Sequence, residues 1–221
     1  MRTAAKKDNV MKHNFQKDMA SLSNKIIKSK SYIDMVGLSK RHFYIWLNKH
    51  KNGPYNYSFH VPEVARWAEI ILKNHPEIDK EIVLISVWLH DIGSYPVTKT
   101  DHAVLGEKLA KDFLMKNNYD KEKLPKVLHC IRAHRCRDVK PLTIEAKLVT
   151  CCDSASHLMD YVYISILIDA RLSKSYQLSK YAFDKLERDY NDLSTFPEIK
   201  QKLTPIYLKW KTLLLEYKKI D

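Results

Sequence analysis

Apolar residues recur along most of the chain at the three- and four-residue spacing of amphipathic α-helices. Between residues 58 and 74, for example, Val64, Trp67 and Ile71 fall on one helical face. Residues 81–91 differ, because apolar side chains occupy every side of the predicted helix. A helix that is hydrophobic all round is buried among other elements. The pattern therefore predicts a helical bundle built around this segment.

Further helices are predicted at residues 101–117, 124–134 and 143–172, the last of them long and strongly apolar. Near the carboxyl terminus, a stripe of large apolar residues indicates one more amphipathic helix, and we interpret the stripe as core or as a face for a partner helix. Its members are Leu203, Ile206, Tyr207, Trp210, Leu213, Leu214 and Tyr217. The chain has only 4 glycines, which leaves few tight β-turns. The predicted fold class is all-α, a multi-helix bundle.

Three segments are predicted along the chain. Residues 1–50 form a basic N-terminal helical extension, residues 51–172 the main domain, and residues 173–221 C-terminal helices that pack on that same domain. The pair Asn52-Gly53, followed by Pro54, predicts a turn between the first two segments, since no alternating strand pattern flanks it.

The charge balance is basic, with 38 Lys and Arg against 26 Asp and Glu and a net charge of +12. Such a protein tends to meet nucleotides, nucleic acid or acidic surfaces, although lysines spread over solvated helix faces give the same balance. No apolar run approaches the length of a membrane span. The basic amino terminus is not followed by the apolar stretch that a secretory signal requires. None of the four cysteines forms a Cys-x-x-Cys pair. We expect a cytoplasmic protein with reduced thiols and no membrane contact.

Candidate chemistry begins at the dipeptide His90-Asp91, which ends the apolar helix. A carboxylate there is costly unless it is paired or binds a metal, and a helix C-terminus disfavours its charge. Neighbouring predicted helices each offer one more imidazole or carboxylate: His60, His102, His134 and Asp153. Helical bundles build metal sites from such side chains on facing helices. The mixture suits Mn, Fe, Co, Ni, Zn or Mg and does not choose among these divalent metals.

Two of these residues have competing interpretations. His129 lies five residues before His134, about 140° away around a helix, so both cannot face one small site. We prefer His134, because Val127 and Ile131 share its side. Asp153 points away from the apolar stripe of its own helix, and that position fits a solvated face as well as a site cleft.

The order of these residues resembles the HD superfamily of metal-dependent phosphohydrolases. The string His90-Asp91-Ile92-Gly93 is common in that family. Further matches within residues 57–160 are Arg66, His102 with Gly106 and Ala110, Ile131-x-x-His134, and Thr143-Ile144-Glu145-Ala146-Lys147 before the final aspartate. The chain departs from many small members at Cys152-Asp153-Ser154-Ala155, where they carry Ala-Asp-Arg or Ala-Asp-Asn. The basic or amide residue that follows the aspartate in those members contacts substrate, so its absence affects a substrate contact and not the metal ligand Asp153.

The resemblance implies an HD-domain bundle with a metal site in its core cleft. The implied metal ligands are His60, His90, Asp91 and Asp153. The implied catalytic residues are Asp91, His102 and His134, and the two histidines either contact substrate phosphate or bind a second metal that Asp91 bridges. The predicted substrate-binding residues are Arg66, Lys99 and Arg132.

The expected function is hydrolysis of a phosphate ester by metal-activated water, with a nucleotide or another small anionic phosphorylated metabolite as the substrate. Two alternatives stay open. A di-iron oxygenase of HD fold would use the same histidines and aspartates. A non-catalytic module that binds nucleotide or RNA would fit the positive charge, although no aromatic-plus-basic recognition motif is present. A homodimer is also compatible with the sequence.

Overall fold

A computed structural model describes residues 34–50, 55–173 and 176–220. Residues Met35–Asp221 form one compact unit. Within the described ranges the chain folds into nine α-helices without any strand, which confirms the all-α prediction. The helices are α1 (Met35–Lys49), α2 (Tyr57–Leu72), α3 (Lys80–Leu89), α4 (His102–Lys116), α5 (Leu124–Ala133), α6 (Ile144–Met159), α7 (Val162–Leu172), α8 (Tyr176–Asp192) and α9 (Pro197–Ile220).

The apolar helix α3 lies at the centre of the bundle. Asp79 begins it, because its carboxylate accepts hydrogen bonds from the backbone N–H groups of Glu81 and Ile82. All eight residues from 82 to 89 are buried. Helices α1, α2, α5 and α6 pack around α3, so its C-terminal end emerges between the elements that carry the other candidate ligands.

Helix α1 belongs to the compact unit, and it packs on α3 through buried aromatic residues. The rings of Phe43 and Trp88 have centroids 5.7 Å apart, and Trp46 is also buried. The domain boundary at residue 50 stays a prediction. Residues 1–33 and the predicted turn at Asn52-Gly53 lie outside the described residues.

The predicted helix over residues 143–172 is wrong in one respect, because the structure divides it into α6 and α7. At Asp160 the backbone leaves the helical region, with φ −109° and ψ −169°. The Asp160 carboxylate accepts a hydrogen bond from the N–H of Val162, the first residue of α7, at 2.7 Å. A side chain that satisfies the first N–H groups of a new helix offsets the backbone bonds lost at the break.

His60 lies in the first turn of helix α2. The helix begins at Tyr57, and Pro62 is its sixth residue. His60 N–H donates to the carbonyl of Asn56 at 3.0 Å, which closes that turn. The consequence for the site is that a helical backbone fixes the direction of the His60 side chain.

The apolar stripe near the carboxyl terminus packs into the core in part, whereas its member Leu213 is exposed. Leu203, Tyr207 and Leu214 on α9 are buried. The indole N–H of Trp210 donates to the carbonyl of Leu158, near the end of α6, at 3.0 Å. In the described part of the chain, no helix combines the length and apolar character needed to cross a bilayer.

Candidate metal centre

Two histidines are oriented by the carbonyl groups of their own helices. His90 follows the last residue of α3, and its Nδ1 lies 2.8 Å from the Val87 carbonyl oxygen. His134 follows α5, and its Nδ1 lies 2.7 Å from the Ile131 carbonyl oxygen. A carbonyl accepts only from an N–H, so each Nδ1 carries the proton. Each Nε2 is then available as a ligand atom directed into the protein.

One group of candidate ligands consists of His60, His90 and Asp153. Asp153 Oδ1 lies 3.0 Å from His60 Nε2 and 3.7 Å from His90 Nε2. The three ligand atoms lie within 4.8 Å of one another, and all three side chains are buried. Helices α2 and α6 and the end of α3 each contribute one of them.

A second group consists of Asp91, His102 and His134. Asp91 Oδ1 lies 3.3 Å from His102 Nε2 and 3.8 Å from His134 Nε2. The two imidazole nitrogens are 3.3 Å apart. His102 is the first residue of α4, where Asp101 caps the helix through a hydrogen bond from Ala103 N–H.

Asp91 joins the two groups. Its Oδ2 lies 3.4 Å from His60 Nε2 and 3.2 Å from His90 Nε2, while Oδ1 faces His102 and His134. One carboxylate thus presents a different oxygen to each group, which is the arrangement of a carboxylate that bridges two cations. The structure therefore brings together all six side chains that the sequence singled out as metal or catalytic residues.

The donor atoms of the first group fit a metal ion. His60 Nε2 and His90 Nε2 are fully buried, and neither has a hydrogen bond of acceptable geometry among the described residues, despite the nearby carboxylate oxygens. A buried polar atom without a partner is destabilising, and a cation between these nitrogens and Asp153 would satisfy both. Imidazole and carboxylate donors suit several divalent metals.

Three residues that the sequence analysis missed hold the far side of the His60 ring. Its Nδ1 lies 3.1 Å from Ser156 Oγ, 3.2 Å from Tyr55 Oη and 3.6 Å from Asp160 Oδ2. Tyr55 also donates a hydrogen bond to Asp160. Groups of this kind orient a ligating imidazole. Of the three, only Asp160 had a signal in the sequence, as a charged residue within a strongly apolar segment.

His157 is a further residue of the site that the sequence analysis did not choose. Its Nε2 lies 3.6 Å from Asp153 Oδ1, and its ring stacks on that of His60. On its other side, Lys185 Nζ lies 3.0 Å from His157 Nδ1 and donates to Asp189 at 2.9 Å. The spacing of four residues from Asp153 places His157 on the same helical face, and this was the available signal.

Burial and neighbouring charges shift the pKa values of several side chains of the centre in opposite directions. Burial lowers the pKa of His60 and His90, but the adjacent carboxylates outweigh it, so both pKa values rise, that of His90 to about 10. Burial raises the pKa of Asp91 and Asp153, but neighbouring imidazoles hold both well below the ordinary range. Burial, followed by the charge of His90, lowers the pKa of His134 to about 4. The carboxylates are therefore ionised and His134 is neutral at pH 7.

Gly93 allows two backbones to meet beside the centre. A Cβ atom at this position would lie 2.2 Å from the His102 carbonyl oxygen and 2.3 Å from Gly106 N. The φ of Gly93 is not positive, so a left-handed backbone does not explain this glycine. A close approach of the α3–α4 turn to α4 is what requires glycine here.

The second group opens onto a cavity of about 600 Å³. Asp91, His102, His134, Asp153 and His157 lie on its wall. Its basic lining residues are Arg135, Arg137, Lys140, Lys185 and Arg188. A cavity of this volume accommodates a small metabolite.

The predicted substrate-binding residues are not among the described residues that line this cavity. Arg66 pairs with Glu63 on the surface of α2. Arg132 pairs with Asp138 and lies in a separate surface depression. Lys99 is exposed. A substrate contact by these three side chains stays a prediction, and Arg135, beside His102 on the cavity wall, is better placed for that role.

The structure also decides between the competing interpretations of two residues. His129 accepts a hydrogen bond from Leu142 N–H at 3.0 Å and is not in either ligand group. Asp153 is buried, so its position off the apolar stripe marks a site cleft and not a solvated face.

Comparison with known families agrees with this geometry. Residues 57–157 match the model of the HD domain. This segment of the chain is similar to an HD domain. The matched segment begins with α2, ends within α6 and includes all six side chains of the two ligand groups. No curated protein and no solved structure matches the chain.

Proposed function

We propose that this HD protein is a metal-dependent phosphohydrolase that cleaves a phosphate ester of a small anionic metabolite at two adjacent metal positions. The observation that carries the proposal is the Asp91 carboxylate, which presents one oxygen to His60 and His90 and the other to His102 and His134. Pairs of cations held in this way suit phosphoryl transfer, because they stabilise the attacking and leaving oxygens together.

The roles of the candidate ligands differ according to how deeply each side chain is buried. His60, His90 and Asp153 are buried and serve to hold a cation. His102 is about one-third exposed and faces the cavity, so it can meet both a cation and a substrate phosphoryl oxygen. A bound divalent metal would supply Lewis acidity and lower the pKa of a coordinated water.

Arg135 supports the phosphoryl group from the cavity wall. Asp101 holds its guanidinium, and one of its Nη atoms lies 3.5 Å from His102 Nδ1. A positive charge fixed beside the reacting phosphate stabilises the negative charge that develops on the phosphoryl oxygens. Asp101 also caps α4, so the same carboxylate positions both the arginine and His102.

The direct test replaces the bridging carboxylate. Asp91→Ala should lower both metal content and the hydrolysis of p-nitrophenyl phosphate by at least about 100-fold, since it removes a ligand and not only a supporting group. Asp112→Ala, at an exposed position on α4, is the matched control and should retain both. Full metal content together with full activity in Asp91→Ala would overturn the proposal.

Elemental analysis of protein purified without added metal tests the reaction class. Two irons per chain with a visible absorption band would favour a di-iron oxygenase, which the two adjacent ligand groups could also support. Salt-dependent RNA binding, without turnover of any phosphate ester, would favour a binding module. The proposal predicts instead a divalent metal whose removal by a chelator abolishes phosphatase activity.

A further inference from the structure

Three cations on the wall of the cavity have no acidic partner among the described residues: Arg137, Lys140 and Arg188. The other two basic lining residues differ, because Arg135 pairs with Asp101 and Lys185 pairs with Asp189. The guanidinium of Arg188 lies 5.4 Å from the centre of the Tyr181 ring, which also lines the cavity. The three unpaired cations therefore have charge available for a ligand.

These cations lie on two different elements that border the cavity. Arg137 and Lys140 follow His134 by three and six residues, in the loop between α5 and α6, while Arg188 is on α8. Cys136, between His134 and Arg137, has a left-handed backbone with φ 52°. A non-glycine residue in this region marks a sharp local turn. The turn directs the chain from the ligand His134 to the basic part of the wall.

The acidic lining residues do not neutralise this part of the cavity. Asp91 and Asp153 face the imidazoles of the centre. Asp189 accepts hydrogen bonds from Lys185 and from the Tyr163 hydroxyl. Asp192 accepts a hydrogen bond from the neutral Ser154 hydroxyl at 3.1 Å. It is therefore one lining carboxylate without a basic partner among the described residues, and the three unpaired cations outnumber it.

We propose that Arg137, Lys140 and Arg188 form a second anion subsite, which selects substrates with at least two phosphate groups. This inference rests on the proposed function: one phosphate lies at the metal centre and another at the subsite. Hydrolysis breaks the bond between phosphorus and the bridging oxygen at the centre. Water adds a hydroxyl group to that phosphorus and a proton to the leaving oxygen. The leaving group keeps the phosphate that the subsite binds.

The volume of the cavity favours a small ligand over a macromolecule. About 600 Å³ holds a compact metabolite, and a nucleic acid would need an open groove. Arginine and lysine side chains that are not engaged by carboxylates bind phosphate oxygens through charge-assisted hydrogen bonds. The aromatic ring of Tyr181, beside Arg188, offers a face for a nucleobase, so the substrate class includes nucleoside di- and triphosphates.

The kinetic test compares substrates with one and with several phosphates. The variants are Arg188→Gln and the double variant Arg137→Gln/Lys140→Gln, and Arg41→Gln, on the surface of α1, is the control for a change in net charge. For ADP and ATP, kcat/KM should fall by about tenfold or more in both variants, because each removes charged hydrogen bonds. For p-nitrophenyl phosphate it should stay within about twofold of wild type. Equal losses for both kinds of substrate, or no loss, would overturn the subsite.

A binding test separates this inference from the proposed function. Calorimetry measures the affinity of the metal-loaded protein for tripolyphosphate and for inorganic phosphate, and no turnover is needed. Wild type should bind tripolyphosphate at least about tenfold more tightly than the triple variant Arg137→Gln/Lys140→Gln/Arg188→Gln. If this difference appears in a protein that hydrolyses no phosphate ester, the proposed reaction fails and the subsite stands. Equal affinities in wild type and variant would overturn the subsite, whatever the protein hydrolyses.

Discussion

The substitution Gly93→Ala tests how the fold builds the second ligand group. The added Cβ would lie 2.2 Å from the His102 carbonyl oxygen, 2.3 Å from Gly106 N and 2.9 Å from Gly106 Cα. Ordinary contacts of this kind begin at 3.4 Å. All three obstructing atoms are backbone atoms, so no side chain can rotate away. The start of α4 must therefore move away from the α3–α4 turn by about 1 Å.

This displacement has a stability cost and a functional cost. Overpacking costs about 1–3 kcal/mol, and an obstruction made of backbone belongs at the upper end of that range. About 3 kcal/mol lowers Tm by roughly 6–12 °C in a chain of this size. The same movement carries His102 away from Asp91 Oδ1, now 3.3 Å from its Nε2. A misplacement of about 1 Å near the reacting atoms lowers kcat by roughly 100-fold.

Metal content separates the two ligand groups in this variant. His60, His90 and Asp153 do not belong to α4, so Gly93→Ala should keep the metal of the first group and lose that of the second. Gly106→Ala is the matched control, because its Cβ would lie 3.0 Å from the His90 carbonyl oxygen and no closer to any other atom. Its Tm should change by less than about 4 °C. The reasoning is refuted if Gly93→Ala retains the wild-type Tm and hydrolyses p-nitrophenyl phosphate at the wild-type rate.

Three further predictions concern the electrostatics and the support of the centre. Because the neighbouring carboxylates raise the pKa of His60 and His90, a metal must displace protons from these rings. The apparent affinity of the protein for the metal should rise about tenfold per pH unit between pH 6 and 8 for each proton displaced. Calorimetry in two buffers of different ionisation enthalpy should detect the released protons. A metal affinity that does not depend on pH contradicts this prediction. Ser156→Ala removes a hydroxyl group from the back of His60 and should weaken metal binding by about tenfold in a chelator competition, whereas unchanged affinity would show that Ser156 does not orient the ring. Burial raises the pKa of Asp192 to about 6, so the folded protein holds this proton more tightly than the unfolded chain does. That stabilisation is complete below the ordinary pKa of 3.8 and is lost as the pH rises through 6. Relative to wild type, Asp192→Asn should therefore gain about 2 kcal/mol of unfolding free energy between pH 4 and 8. Urea unfolding measures this at each pH, and the same difference in unfolding free energy between the two proteins at both pH values would rule it out.

Residue hydrophobicity and its periodicity are local properties of a sequence, and they were sufficient for the fold class. The uninterrupted apolar run at residues 82–89 predicts a buried helix because no face of it is compatible with water, and α3 is the centre of the bundle. The same reasoning places His90 and Asp91 where a charged group needs a partner. It also prefers His134 to His129, since only one of two histidines five residues apart can face the core with Ile131.

Interruptions of helices were harder to predict, because the hydrogen bonds that stabilise a break come from residues far away in the sequence. Nothing in the spacing of residues 143–172 requires a break, yet Asp160 ends α6 there. Its carboxylate accepts a hydrogen bond from the first N–H group of α7 and another from Tyr55, which lies more than a hundred residues earlier in the chain. The helix break and the support of His60 therefore arise from one long-range arrangement.

The sequence by itself determined an all-α chain and the set of imidazoles and carboxylates able to make a metal centre. The fold class follows from residue type and short-range spacing, which are properties of each helix separately. Asp153, in contrast, was assigned to the ligand set only through the resemblance to the HD superfamily. Only the tertiary structure decided that Asp91 lies between two ligand groups and that His157 lies against Asp153 of the first group. It also placed Arg137, Lys140 and Arg188, and not Arg66 or Arg132, on the cavity wall. These relations depend on how helices far apart in sequence pack together, because the direction of a side chain relative to another helix has no local signal.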